Sequence, residues 1–296
     1  RIEEVEEKRE YLLSRYLKPP KVVVFIGDPA WLVCQPLFDK EWKDIPTVIC
    51  YSRDSMPRNL ENFVNKDFLG EGKFVLTEVA TAGYNLTVIK QPFYVKNTID
   101  LIRRLQPEVK KIALISDDRY ISAMVREEVC GVLEKDFPEL KLDLLTSIDI
   151  STEKLLDTLM GYSREVGIIY NSWFVGKKQS ESHYLSDNLQ KIIYGFVDAP
   201  VFTLTEMDME TGAFAGGYFI SASTFGKVAV QTIRQILDGV PARNVEGRIG
   251  GEPKVYLNYH HLQHYGVDPN SITGDVVFYQ VPPNFYQLYK EYIIIG

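Results

Sequence analysis

Five short segments of this 296-residue chain carry side chains suited to holding a small polar molecule. They are Gly27-Asp28-Pro29-Ala30-Trp31, Ser52-Arg53-Asp54, Asp117-Asp118-Arg119-Tyr120, Asn171-Ser172-Trp173 and Thr205-Glu206-Met207-Asp208, each directly after a run of β-forming residues. The carboxylates and the amide offer hydrogen bonds. Trp31, Tyr51, Tyr120 and Trp173 offer ring faces for a sugar or an aromatic ring, and Arg53 or Arg119 offers a cation for a carboxylate. A few polar groups set among aromatics is how a small organic ligand is oriented. The expected ligand-binding set is therefore Asp28, Trp31, Tyr51, Arg53, Asp117, Asp118, Tyr120, Asn171, Trp173, Glu206 and Asp208. Local roles compete with this: Asp28 before Pro29, Asp118 and Asn171 are also good helix N-caps, and core packing accounts for the aromatics as well.

Catalytic and metal chemistry find less support. Asp117-Asp118 after a strand resembles a magnesium-binding phosphoacceptor pocket, but the neighbouring strand end offers Asn171 where a further carboxylate is needed. Gly70-Glu71-Gly72-Lys73 lacks P-loop spacing and precedes a strand instead of a helix. His260 and His264 are four apart with no acidic general base between them, and two ligands do not make a zinc site. Ser221, Ser223 and Thr224 follow a strand without a Gly-x-Ser-x-Gly elbow. Cys34, Cys50 and Cys130 are too few and too widely spaced for a disulfide framework or a zinc site, although a Cys34–Cys50 bridge stays open in an oxidising compartment. No catalytic residue, metal or cofactor is expected.

Presenting such side chains together is the work of strands and helices in alternation. Strands are expected at Val22–Ile26, Thr47–Tyr51, Phe74–Val79, Ile112–Ser116, Leu142–Ile148, Gly167–Tyr170, Val201–Leu204, Gly217–Ile220, Val255–Leu257 and Val276–Tyr279. Between them, apolar spacings of three and four predict helices near Ala30–Trp42, Lys96–Leu105, Ile121–Phe137, Thr152–Ser163, Glu181–Phe196 and Thr224–Leu237. Strand and helix repeated this way mean parallel sheets with helices on both faces. Ten strands suit two sheets better than one twisted sheet. The stretch Ala82–Tyr94, with Gly83, Asn85 and Pro92, is expected to cross between lobes. Ligands of open parallel sheets bind beyond the carboxyl ends of the strands, where the five segments lie. With 45% apolar residues the chain folds, and a net charge of −7 argues against nucleic acid as a partner.

The chain starts as if inside a helix, Ile2, Val5, Leu12, Leu13 and Tyr16 forming an apolar stripe stopped by Pro19-Pro20. It ends on Pro282-Pro283-Asn284-Phe285-Tyr286-Gln287-Leu288-Tyr289-Lys290-Glu291-Tyr292 followed by Ile293-Ile294-Ile295-Gly296. Aromatics and a lysine before an aliphatic run suit a membrane interface, so this reads either as a lead-in to a transmembrane helix or as an amphipathic helix docked on the body.

Three segments resemble a known family. Gly216-Gly217-Tyr218-Phe219-Ile220-Ser221, Phe225-Gly226-Lys227-Val228-Ala229-Val230-Gln231 and Ile236-Leu237-Asp238-Gly239-Val240-Pro241 look like periplasmic binding proteins of type I topology. Leu257-Asn258-Tyr259-His260-His261-Leu262 with Tyr265-Gly266-Val267-Asp268, and the Val281–Ile294 run, are similar to ABC-type substrate-binding domains fused to membrane sensor histidine kinases. The resemblance implies an α/β fold of two doubly wound parallel-sheet lobes with a ligand cleft between them. It implies lobe one at 1–90 plus 206–245, lobe two at 91–205 plus 246–281, and a juxtamembrane segment at 282–296. The strand and helix Gly217–Leu237 would return to lobe one, which lacks the family's first strand-helix-strand.

The function so implied is a periplasmic, extracytoplasmic sensor domain of a two-component histidine kinase, itself not an enzyme. It would bind a sugar, amino acid or aromatic acid, and lobe closure would signal to a following transmembrane helix, with a homodimer as an admitted partner. A free solute-binding protein of an ABC transporter is the first alternative. An α/β enzyme acting on a sugar or nucleotide, with Asp117, Asp118 or Glu206 as acid or base, is the second.

Overall fold

The computed structural model describes residues 2–68, 70, 72–175, 186–206, 209 and 212–283. The chain divides into two compact units. Unit 1 takes the described residues of Arg1–Phe93, Arg119–Ala123 and Ile220–Glu252, and unit 2 those of Tyr94–Asp118, Met124–Phe219 and Pro253–Gly296.

Unit 1 is built on a parallel four-stranded sheet in the order Val23–Ile26, Thr47–Ser52, Leu86–Lys90, Arg248–Ile249. Its main core lies under the helices Ile2–Arg15 and Asp28–Phe38, where Phe25, Ile49, Leu86 and Val88 meet Leu32, Leu37 and Phe38. Trp31 sits at the centre of that core with no exposure, its ring 6.0 Å from Phe25, 5.4 Å from Phe38 and 4.9 Å from Tyr84 between centroids. Helix Ala222–Leu237 starts at an N-cap in which Ser221 accepts a bond from the Thr224 amide, and it buries Phe225, Thr232 and Ile236. The edge strand Val23–Ile26 pairs with Thr47–Ser52 and leaves Val24 and Ile26 exposed.

Two expectations fail in unit 1. Leu86–Lys90 is a strand between Thr47–Ser52 and Arg248–Ile249, not part of a crossing. Gly83 and Asn85 mark only the turn before it, and both of its faces are covered, so alternation does not betray it. The expected strand Phe74–Val79 stops at Leu76, pairs antiparallel with Ser55–Pro57, and gives way to the helical turn Thr77–Ala80. Thr77 forces the change: its amide bonds the Asp54 carbonyl and its hydroxyl the Arg53 carbonyl, 2.9 and 2.7 Å away.

Unit 2 holds a seven-stranded sheet in the order Val276–Tyr279, Lys254–Asn258, Gly216–Phe219, Val201–Thr203, Val166–Tyr170, Lys111–Ser116, Lys141–Thr146. Neighbours are parallel except where Lys254–Asn258 meets Gly216–Phe219. Helices Val95–Leu105, Thr152–Met160 and Ser186–Phe196 cover it, with Ile102 resting where a Cβ on Gly167 would stand. The resemblance sends Gly217–Leu237 to lobe one as a whole. Instead the strand Gly216–Phe219 belongs to the unit 2 sheet and only the helix belongs to unit 1. The two glycines explain it: a Cβ on Gly216 would lie 2.2 Å from the Tyr256 carbonyl oxygen and one on Gly217 2.0 Å from that of Thr203. Only bare backbone fits between those strands.

Cys34, Cys50 and Cys130 are free, so the Cys34–Cys50 bridge does not form. Cys34 belongs to the helix-covered core, while Cys50 lies in the central strand. No helix among the described residues is long and apolar enough to cross a membrane. The lead-in from residue 284 onward lies outside the described residues.

Candidate functional site

In unit 1 the carboxyl ends of the parallel strands gather Asp28, Tyr51, Ser52 and Arg53, and Tyr120 joins them from the segment Arg119–Ala123. Asp28 is not a helix cap. It is the first residue of its helix, after Gly27, and is fully buried. Its Oδ1 accepts 2.5 Å from Ser52 Oγ and its Oδ2 accepts 2.6 Å from the Tyr120 hydroxyl. Burial pushes the Asp28 pKa above the ordinary carboxylate value, while those two hydroxyls, the Arg53 charge and the Arg53 amide all favour the ionised form. Burial and the same carboxylate push the Tyr120 phenol well up. Tyr120 also contacts the rings of Phe63 and Phe68.

The strand Thr47–Ser52 ends irregularly. Its pairing with Leu86–Lys90 shifts between Cys50 and Ser52, and Tyr51 takes a left-handed φ of 59°. A bulky residue with that backbone is strained, and bulges beside functional sites re-aim side chains. Tyr51 stacks on Phe225, ring centroids 4.0 Å apart at 9°, and the Phe225 ring fills the space where a Cβ on Gly250 would be. Arg53 follows with its guanidinium 3.8 Å above the centre of the Phe93 ring. Phe93, Phe225 and Ser52 are missing from the sequence-derived set. Ser52 stands directly after Tyr51 and before Arg53 and was legible, whereas the two phenylalanines lie far along the chain.

Trp31 is corrected from ligand-facing to core, because its helix turns position 31 onto the sheet among Phe25, Phe38 and Tyr84.

In unit 2, Asp117 follows the strand Lys111–Ser116 and is fully buried. Arg126, on the helix Tyr120–Asp136, donates to the Asp117 carbonyl at 2.5 Å and to Ser116 Oγ at 3.0 Å. Burial lowers the Arg126 pKa, opposed by Asp117, Asp149 and Asp118. Asp118 is partly exposed at the next position. Asn171 ends the strand Val166–Tyr170 without capping a helix among the described residues, and its amide donates 3.1 Å to Ser172 Oγ. Trp173 is 7% exposed and gives its indole N–H to Thr152 Oγ1 at 3.1 Å, which corrects it to a core residue. The next residue, Phe174, is the exposed ring of that segment at 55%, held by a bond from Ser147 Oγ to its carbonyl. Glu206 follows the strand Val201–Thr203 and accepts 2.6 Å from the Tyr279 hydroxyl. Asp208 lies outside the described residues. No cluster of three metal-ligating side chains occurs among the described residues.

Of the expected set, Asp28, Tyr51, Arg53 and Tyr120 belong to unit 1, and Asp117, Asp118, Asn171 and Glu206 to unit 2.

No family model and no curated protein matches this sequence. Solved structures do. An ABC domain in complex with L-Trp from Streptococcus pneumonia aligns over 93% of this chain and 85% of its own, at 16% identity and a TM-score of 0.60. A conserved domain protein from Vibrio cholerae O1 biovar El Tor aligns over 93% and 82%, at 15% identity and a TM-score of 0.61. The ligand-free, open structure of a substrate-binding protein with adhesive properties from Clostridium difficile aligns over 94% and 83%, at 13% identity and a TM-score of 0.60. The fold is therefore the α/β, parallel-sheet fold of two-lobed substrate-binding proteins.

Proposed function

We propose that this chain is an extracytoplasmic substrate-binding protein of the ABC-transporter type, which captures a small organic solute with residues at its strand ends. The observation that carries the proposal is the concentration of buried polar groups and rings at the carboxyl ends of parallel strands in unit 1: Asp28 bonded by Ser52 and Tyr120, Arg53 on Phe93, and Tyr51 strained against Phe225. Such positions are where ligands of open α/β sheets bind. That a solved relative of the same fold holds L-Trp supports an amino acid as the first solute to test. Binding, not catalysis, is the activity proposed.

The solute would act by stabilising one conformation over another. It shifts that equilibrium only by its differential affinity, and a swing from 1:99 to 99:1 takes about 5.5 kcal/mol.

A second reading has one specific support. The terminal run from Pro282 to Ile295, with its aromatics, Lys290 and aliphatic end, suits a membrane interface. On that reading the chain is the sensor domain of a histidine kinase, anchored by a following transmembrane helix and free to pair with a second copy. The intact reading frame separates the two: a transmembrane helix and kinase domain downstream favour the sensor, and a free or lipid-anchored protein favours the transporter partner.

A thermal-shift screen over amino acids, aromatic acids, sugars and nucleosides tests binding itself. A solute at 100 times its dissociation constant raises stability by about 2.7 kcal/mol. If no class raises the melting temperature of folded protein, the proposal falls.

A further inference from the structure

Unit 2 contains a cavity of about 410 Å³ between the end of the helix Val95–Leu105, continued to Pro107, and the loop from Gly266 to Thr273. Both walls are fastened to one short segment. The Gln106 side-chain amide donates to the carbonyls of Arg164 and Val166, at 3.1 and 3.4 Å, and the Arg164 guanidinium donates to the Tyr265 carbonyl. Because Val166 opens the strand Val166–Tyr170, the cavity lies at the amino end of that strand, whereas Asn171 follows its carboxyl end. A cleft of this volume suits a small organic molecule.

Arg104 and Asp268 line this cavity with opposite charges, and neither enters an ion pair among the described residues. The adjacent Arg103 differs, pairing with Glu139 at 3.1 Å. Asp268 serves the turn Pro269–Ser271 through one oxygen: Oδ1 accepts from the backbone and side-chain amides of Asn270, at 3.0 and 3.1 Å, and Oδ2 accepts from no described residue. The helix adds to the negative side, since Pro107 has no N–H to return to the Arg103 carbonyl and the last turn brings the negative end of the helix dipole to this wall. Half-buried Leu105, Val267 and Ile272 supply apolar surface to the same cavity. A simple anion would meet Asp268 and the helix end, and a simple cation would meet Arg104. A molecule carrying both charges satisfies both sides, with the guanidinium fork matching the two oxygens of a carboxylate.

We infer that this cavity is a second binding site, for a small zwitterion with an apolar body. Arg104 receives the carboxylate, Asp268 and the end of the helix Val95–Leu105 receive the ammonium, and Leu105, Val267 and Ile272 receive the apolar part. Apolar α-amino acids are the simplest members of the class. The site lies within unit 2 and shares no residue with the strand-end set, so it does not rest on the solute-binding proposal.

Titration of L-leucine and L-phenylalanine into the whole labelled chain tests this, with the backbone amide resonances of Gly266, Val267, Ser271 and Ile272 followed in heteronuclear correlation spectra. L-leucinamide, which lacks the carboxylate, and N-acetyl-L-leucine, which lacks the ammonium, are the controls. The expected result is a saturable shift at those amides with at least one of the two amino acids. Each control should bind about 10-fold more weakly than leucine, and Arg104→Gln and Asp268→Asn should each weaken the amino acid by about as much, the loss of one charge-assisted contact. A control that binds as tightly as leucine, or variants with unchanged affinity, overturns the inference. Saturable shifts confined to the strand-end residues overturn it while supporting the solute-binding proposal. No saturable shift at any residue overturns it as well, and the thermal-shift screen then judges the solute-binding proposal separately. Dispersion in the same spectra establishes that the variants fold, and if one does not, the two controls on the unaltered chain still decide.

Discussion

The hydroxyl of Tyr120 donates a 2.6 Å hydrogen bond to Oδ2 of Asp28, a carboxylate with no solvent exposure. These two residues are far apart in the chain, and their meeting places the start of the helix Tyr120–Asp136 within unit 1. A buried carboxylate is tolerable only while its oxygens are satisfied, so the bond is more than decoration on a surface.

Tyr120→Phe is expected to destabilise the protein by about 1 to 3 kcal/mol, because the acceptor stays buried after its donor is gone. The Asp28 pKa rises further in that variant, since the lost bond favours the ionised form. Urea unfolding at neutral pH measures the first effect. A change below about 0.5 kcal/mol would mean that the hydroxyl is replaced by water and that the site is wetter than its burial suggests.

Gly217→Ala and Gly131→Ala are expected to move in opposite directions. A Cβ at 217 lands 2.0 Å from the Thr203 carbonyl oxygen, so two paired strands must separate, costing at least about 2 kcal/mol. A Cβ at 131 meets nothing within 4 Å inside the helix Tyr120–Asp136, so alanine adds about 0.5 to 1 kcal/mol through helix propensity. Melting temperatures of the pair test it, and a tolerated Gly217→Ala contradicts the strand spacing.

Gly250→Ala places its Cβ 2.0 Å from the Phe225 ring, which already lies stacked on Tyr51. The ring has no room to retreat, so the stack should break and the near-ultraviolet circular dichroism should weaken while the far-ultraviolet signal stays. An unchanged near-ultraviolet spectrum would show that the stack survives.

Acid sensitivity should centre on His261 in unit 2. Its ring is 2% exposed, stacked 4.1 Å from Tyr194, with Nε2 against the Gly212 carbonyl and Nδ1 meeting no partner among the described residues. Tyr194 from one helix, and Tyr265, His264 and His260 from its own neighbourhood, are the titratable groups around it. Burial lowers its pKa to about 4; the Gly212 carbonyl opposes that, and His264 and His260 add to it. Because the folded value lies below the unfolded one near 6.5, folded protein resists the proton that unfolded protein accepts. Stability is unaffected above pH 6.5 and falls as pH drops from 6.5 toward 4, by on the order of 3 kcal/mol in all. Denaturation at pH 7.5 and pH 5 should show the loss, and His261→Gln should flatten it. An equal pH slope in that variant would assign the loss to other groups.

Much of this protein is written in local order. Alternation of short apolar runs with three-and-four spacing was enough to place Thr47–Ser52, Lys111–Ser116, Val166–Tyr170 and the helix Val95–Leu105 within a residue or two, because strand and helix periods are properties of neighbouring side chains. Those periods, with the rule that ligands lie beyond strand ends, put Asp28, Tyr51 and Arg53 in lobe one and Tyr120 in lobe two, whereas all four belong to unit 1. Leu86–Lys90 escaped because a strand covered on both faces loses its alternation, and Gly216–Phe219 was assigned to the wrong sheet because pairing partners are not local.

Which rings are buried and which are exposed was decided only by folding. Trp31 and Trp173 look like stacking platforms in one dimension and are packing in three, Phe93 and Phe225 are buried against Arg53 and Tyr51, and Phe174 is exposed. The left-handed turn at Tyr51 and the fixed guanidinium of Arg53 depend on residues brought from distant parts of the chain. A side chain's type reveals what it is able to hold. Its neighbours across the fold decide whether water, core or solute meets it, since burial and close contact are made by segments that no local pattern joins.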